Sequence, residues 1–223
     1  MALFVRTLVY LAVLIYESES SIKWNVMNKA IKIGGQAILN CTINGYLAGM
    51  KRQWYGGRHY ELLSHDNISS YPQKYAVESF QSSLQTNLII KHFNFTDVNC
   101  AYTCAYGFKR DTHMLKLDDL DFVYGDFKDS SKLKGGIFIV ELKMKVYPIP
   151  KCSITYMFKE YKTSVVSVES VEFYGNVAQP YFVTIQGNIE PSGTMCFINI
   201  SCKVESSKYS HNVLGINICK GLF

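Results

Sequence analysis

The chain alternates apolar and polar residues over short stretches and turns sharply between them. Ile31-Lys32-Ile33 alternates and Gly34-Gly35 follows. Ala37, Leu39 and Cys41 then alternate with Gln36, Ile38 and Asn40, which predicts a half-buried strand with Asn40 facing away from the core. Arg52-Gln53-Trp54-Tyr55 is closed by Gly56-Gly57; Leu88 and Ile90 stand two apart, with Phe93 beyond. Ala101–Phe108 and Met114–Val123 read as further strands. A second series runs through Ile137–Val146, Lys151–Phe158, Val165–Tyr174, Tyr181–Gln186 and Met195–Val204, with Pro148-Ile149-Pro150 breaking its first two members. Apolar runs of this length, separated by turn residues and without helical period, predict an all-β fold of sandwiches or barrels.

The polar segment 125–136 (GDFKDSSKLKGG) carries glycine at both ends and separates two blocks of similar size, each with cysteines. It reads as a linker or a long hairpin loop. The expected organisation is a signal peptide over 1–20, a first β-domain over 21–124, the linker over 125–136, and a second β-sandwich over 137–223.

The first twenty residues set the expected compartment. Arg6 is followed by the apolar run Leu8–Tyr16 and then by Glu17-Ser18-Glu19-Ser20-Ser21. A short apolar core after a lone positive charge, with small residues behind it, predicts a cleaved secretory signal. The run is shorter than the about 20 apolar residues a membrane span requires. The segment 211–223 is too short and polar for a lipid-anchor tail. The expectation is a secreted, extracellular protein with no membrane span. Four Asn-X-Ser/Thr sequons, at Asn40, Asn67, Asn94 and Asn199, add the expectation of a glycoprotein.

Composition narrows the class. Of 223 residues, 48% are hydrophobic and 18% charged, which excludes a disordered chain. The formal charge is +5, and the basic residues are scattered, so a dedicated nucleic-acid binder is not expected. Seven cysteines fit an oxidising compartment, and the odd number leaves at least one unpaired.

Cys41, Trp54, Leu88, Ile90, Asp97, Tyr102 and Cys104 form the most informative set. In a two-sheet sandwich a disulfide joins facing strands, a tryptophan packs on it, and a tyrosine two residues before the second cysteine bonds back to the backbone. The first block, about residues 23–124, resembles the variable-type immunoglobulin domain. That resemblance implies a Cys41–Cys104 bridge with Trp54 and Tyr102 in the core. Two departures stand beside it. Counted from Asp97, where the family places a corner acid, Tyr102-Thr103-Cys104 comes one residue late. Cys100 occupies that insertion and competes with Cys104 for Cys41; Tyr102 favours Cys104. In the second block no tryptophan follows Trp54, so an immunoglobulin-like or fibronectin-like sandwich is expected on strand pattern alone. Cys152–Cys202 is the expected bridge between its sheets, with Cys196 as the rival. Cys196–Cys219 is the remaining pair, and Cys100 is left for a disulfide-linked dimer.

The resemblance implies binding rather than catalysis, and no enzymatic activity or cofactor is expected. Neither a Gly-X-Ser-X-Gly elbow nor a phosphate-cradling glycine loop is present. Cys100, Cys104, His92 and His113 lack a zinc-binding spacing, and the acids from Asp118 to Asp129 read as solvated, so no metal site is assigned. Tyr55, Arg58, His59 and Tyr60 follow the tryptophan strand; Tyr106, Phe108, Lys109 and Arg110 follow the second cysteine. Tyrosine and arginine anchor protein interfaces well. The family's geometry brings these two regions to one sheet face and its loop, which gives the expected site for an extracellular protein or cell-surface receptor. The alternatives are an enzyme inhibitor and a disulfide-linked structural component.

Overall fold

The computed structural model describes residues 21–45, 49–79, 84–156, 159–170, 180–190, 197–203 and 210–217. The expected signal peptide and the expected Cys196–Cys219 pair lie outside them. In chain order the strands are β1 (Ile22–Val26), β2 (Ala30–Lys32), β3 (Ala37–Ile43), β4 (Arg52–Gly56), β5 (Glu61–His65), β6 (Ile68–Ser69), β7 (Tyr75–Ser79), β8 (Gln85–Ile90), β9 (Cys100–Tyr106) and β10 (Lys109–Leu115). They continue as β11 (Phe122–Tyr124), β12 (Lys128–Asp129), β13 (Lys132–Lys134), β14 (Ile137–Tyr147), β15 (Lys151–Tyr156), β16 (Lys159–Lys162), β17 (Ser164–Ser170), β18 (Tyr181–Ile189), β19 (Phe197–Lys203) and β20 (Ser210–Asn217). The fold is all-β. No helix among the described residues is long and apolar enough to cross a membrane.

The chain forms two compact units that interleave along the sequence. The first comprises Met1–Met27, Gln36–His92 and Thr96–Leu115; the second comprises Asn28–Gly35, Phe93–Phe95 and Lys116–Phe223.

In the first unit, a sheet of order β1-β3-β8-β7 faces a sheet of order β10-β9-β4-β5-β6. β3 buries every second residue, as its pattern predicts: Ala37, Leu39, Cys41 and Ile43 point inward, and Ile38, Asn40 and Thr42 stay half-exposed. Trp24, Leu39, Trp54, Leu63, Leu88, Ile90, Tyr102 and Leu115 fill the core. Removing that much apolar and aromatic surface from water is the main stabilising term, at roughly 25 cal/mol per Å². Gly56 is required where β4 ends. A Cβ there would stand 2.5 Å from the Tyr102 ring and 2.8 Å from the Ala101 carbonyl oxygen.

In the second unit, β14 buries Phe138, Val140, Leu142, Met144 and Val146 on one face, with Ile139, Glu141 and Lys143 outward. Its sheet runs β17-β18-β14-β11-β2, with β12 and β13 also paired to β14. The second sheet runs β16-β15-β19-β20. Ile154, Tyr156, Ile198, Ile200 and Cys202 complete the core against Val183, Ile185 and Ile189. The packing is close at Gly187, where a Cβ would lie 2.7 Å from the Ile154 Cδ1.

Three sequence expectations change. The segment 125–136 is not a free linker: β12 and β13 pair with β14, and Gly135-Gly136 closes the β13–β14 hairpin. The run Met114–Val123 is not one strand, because a short 3-10 turn at Leu117–Asp119 separates β10 from β11. Leu115 and Leu117, and Leu120 and Phe122, are each two apart and all buried, which imitated strand alternation on either side of the turn. The Cys152–Cys202 bridge forms, but within one sheet. The two residues face each other directly across β15 and β19, their Cα atoms 4.0 Å apart.

Candidate functional site

Cys41 on β3 and Cys104 on β9 are bridged, joining the two sheets of the first unit. Trp54 lies opposite Cys104 in the β4–β9 register and is fully buried. The Tyr102 hydroxyl donates to the Asp97 carbonyl oxygen at 3.3 Å, closing the corner before β9. Lys74 Nζ holds the buried Asp97 carboxylate at 2.7 Å. Asn99, in the corner just before β9, has a φ of 62°, in the left-handed region that asparagine adopts more readily than most non-glycine residues. β5 and β6 extend the sheet beside β4, as they do in variable-type sandwiches. The first unit is an immunoglobulin-like sandwich of the variable type.

The outer face of this immunoglobulin-like sheet is built from two cross-strand rows. Leu62, Tyr55, Thr103 and Thr112 are successive register partners across β5, β4, β9 and β10. His65, Gln53, Ala105 and Arg110 form the neighbouring row. Tyr55 stacks with Tyr60 at 6.4 Å between centroids, and the Arg110 guanidinium lies 5.7 Å above the Tyr55 ring. The Tyr60 hydroxyl and Thr103 Oγ1 share a 2.7 Å hydrogen bond, and Thr103 shares another of 2.7 Å with Thr112. Tyr60 sits at φ 52°, a conformation that costs a bulky residue on the order of 1 kcal/mol or more. That bond and the Tyr55 stack hold it. Leu62 (36% exposed), Tyr60 (47%) and Met114 (42%) give the face an apolar surface with Arg110 at its side.

The structure thus brings Tyr55, Tyr60 and Arg110 together from the eight expected contact residues. Phe108 stands at the β9–β10 hairpin tip and is 96% exposed; Lys109 is half-buried at the start of β10. Tyr106 does not reach the outer face: it lies two residues from Cys104, points inward with it, and is 4% exposed. Arg58 and His59 line a separate cleft of about 240 Å³ with Glu61, Tyr71, Tyr75 and Thr96. Burial, together with the nearby Asp97 carboxylate, pushes the Tyr75 hydroxyl up to about 12.

Leu62, Thr103, Thr112 and Met114 were missed by sequence reasoning. Strand alternation from Trp54 and Cys104 locates Thr103, and Leu62 and Met114 needed the register of β5 and β10. Trp24 was also missed. Its Nε1 donates to the Tyr102 carbonyl oxygen at 3.1 Å, its backbone N–H donates to the Asp111 carboxylate at 2.7 Å, and its ring stacks on His113 at 3.5 Å.

The remaining cysteine and sequons fall as follows. Cys100, expected to remain for a link between chains, is unpaired and buried, its Sγ 3.4 Å from the Thr96 carbonyl oxygen; burial pushes its thiol up. Asn40 is half-exposed and donates from Nδ2 to Asn87 Oδ1 at 2.7 Å. Asn94 is half-exposed, Asn67 is exposed in the β5–β6 turn, and Asn199 is exposed on β19. Among the described residues no group of three or more His, Cys, Asp or Glu is placed to hold a metal ion.

No family model and no curated protein sequence matches the chain. Solved structures with a similar arrangement include the Ig1+Ig2 pair of DIP-gamma, at 13% identity and TM-score 0.40, covering 88% of this chain and 96% of that one. Dpr2 Ig1-Ig2 in complex with DIP-Theta Ig1-Ig3 gives 13% identity and TM-score 0.42 over 88% of this chain and 97% of that one. The Ig1 domain of mouse SynCAM 2 gives 18% identity and TM-score 0.35 over 46% of this chain and 96% of that one. The fold assignment rests on this chain's own strand order, bridge and corner.

Proposed function

We propose that this protein is a secreted glycoprotein that recognises an extracellular or cell-surface protein through the outer face of the β10-β9-β4-β5-β6 sheet. The observation that carries the reading is the clustering of Tyr55, Tyr60 and Arg110 with exposed Leu62 and Met114 on one sheet face. Aromatic and arginine anchors with an apolar surround are the composition of interface centres. The hydroxyl network beneath them fixes the rings before a partner arrives, which lowers the entropy lost on binding. Recognition, not catalysis, is the chemistry such a face offers. Cys100 has no part in this reading, since a thiol buried under the Phe95–Asp97 turn is withheld from a second chain.

The test is a binding screen with the full secreted chain, multimerised through a tag, against extracellular proteins and intact cells. A partner whose affinity falls about tenfold or more on Tyr55→Ala or Leu62→Arg supports the reading, tenfold being about 1.4 kcal/mol. A partner indifferent to both substitutions removes this face as the site. No partner for a folded, glycosylated chain overturns the recognition reading.

A further inference from the structure

The corresponding outer face of the second unit has a different chemistry and its own cleft. Asn199, Thr155 and Glu160 are register partners across β19, β15 and β16. Ser201, Ser153 and Lys162 form the adjoining row. A cleft of about 450 Å³ follows that second row, lined by Lys151, Ser153, Glu160, Tyr161, Lys162 and Ser201. Asn199 is exposed and lies two residues from Ser201 on the same strand face, about 7 Å away along the strand. It is also the asparagine of a sequon whose hydroxyl residue is Ser201 itself.

We propose that Asn199 carries an N-linked glycan whose first sugars lie in this cleft and cover the β16-β15-β19 face. The lining suits a saccharide. Ser153, Ser201 and Glu160 supply acceptors, and the two lysines and the serine hydroxyls supply donors. Nothing apolar is exposed along the two rows that a protein partner would gain by burying, in contrast to Tyr55, Tyr60, Leu62 and Met114 on the first unit. The outward rows of the first unit's aromatic face contain no sequon. This inference rests on the secreted-glycoprotein reading above.

The experiment uses the full chain secreted from eukaryotic cells, with glycans released by peptide N-glycosidase in ¹⁸O water and each sequon peptide read by tandem mass spectrometry. Labelled aspartate at position 199 is expected. An unmodified Asn199 beside a modified Asn67 overturns the inference and spares the glycoprotein reading; no modification at any sequon overturns both. Seating in the cleft is read by lysine acetylation of the folded protein. Lys151 and Lys162 should label several-fold faster in Ser201→Ala, which lacks the sequon, with Lys132 on β13 as the unaffected control. Releasing the whole glycan from the folded wild-type chain with peptide N-glycosidase, which leaves aspartate at 199, gives the same comparison without a cleft substitution. Equal labelling with and without the glycan overturns the seating.

Discussion

In the first sandwich Trp54 lies opposite Cys104, and in the second the equivalent strands place Cys152 opposite Cys202. The strand orders otherwise correspond. β3-β8-β7 and β5-β4-β9-β10 of one unit match β14-β18-β17 and β16-β15-β19-β20 of the other. The cysteine that β3 supplies in the first unit has no counterpart on β14, where the inward positions are Phe138, Val140, Leu142, Met144 and Val146. One bridge therefore braces sheet against sheet, and the other staples two strands that ladder hydrogen bonds already join. The same topology is held together in two ways. Among the described residues of the second unit no disulfide joins its two sheets, and their apolar side chains pack against each other. The outer faces diverge in step. On its β10-β9-β4-β5-β6 sheet the internally braced sandwich displays tyrosines and a leucine; along β19-β15-β16 the stapled one displays hydroxyls and a sequon, and it carries exposed Val165, Val166, Val168 and Phe182 on its other sheet.

Both tryptophans of the chain, Trp24 and Trp54, sit in the first unit, so tryptophan fluorescence reports its unfolding alone. The largest effect is expected from Cys41→Ala combined with Cys104→Ala. Losing a bridge across 63 residues costs about 4 kcal/mol in the chain-entropy model, and the cavity under Trp54 adds to it. The fluorescence transition in urea should move to much lower denaturant. Cys152→Ser with Cys202→Ser should leave that transition in place while far-UV dichroism loses its second phase early. A single shared shift in both signals would show that the two braces are not independent.

Lys74→Ala removes the ion pair to the buried Asp97 carboxylate and should cost about 1–3 kcal/mol, read by the same fluorescence transition. Tyr102→Phe removes the hydrogen bond to the Asp97 carbonyl and the one shared with the Tyr75 hydroxyl, and should cost about 1–2 kcal/mol. Alkaline pH offers a substitution-free comparison. The Tyr75 and Tyr102 hydroxyls are raised by burial, Tyr75 to about 12, so the folded first unit keeps protons that the unfolded chain gives up. Its stability is full below about pH 10, the ordinary tyrosine value, and falls as the pH rises from there towards 12. Tyr75→Phe should flatten that slope. The smallest effect on folding is expected from Leu62→Arg, within about 0.5 kcal/mol, because the side chain stands on the surface.

Much of the first sandwich was legible because its markers are local. Cys41 declares itself by alternation along β3, and Tyr102 two residues before Cys104 picks the right cysteine over Cys100. The second bridge shows the limit of that reasoning. The spacing of Cys152 and Cys202 fits partners across two sheets or along one, and only the β15–β19 register decides. The face followed the same division. Tyr55, Tyr60 and Arg110 were legible as chemistry next to known strands. Tyr106 was misplaced because it was assigned to the outer face, although it falls within the predicted Ala101–Phe108 strand, two residues from Cys104, and so shares the inward side of Cys104. Trp24 gave no signal, because its partners Tyr102, Asp111 and His113 are far along the chain.

The pairing of β2 with β11 sets a schedule for synthesis. Ile31 lies beside Val123 in a parallel ladder, and Val123 pairs in turn with Tyr147 on β14. Chains are made at about 5–20 residues per second, so β2 is complete roughly 5–20 s before its partner exists. Throughout that interval Ile31, fully buried in the finished fold, has no ladder to join. The early strand is a waiting piece, and a chaperone that holds segments of this kind would meet it before any strand from Lys116 onward has been made.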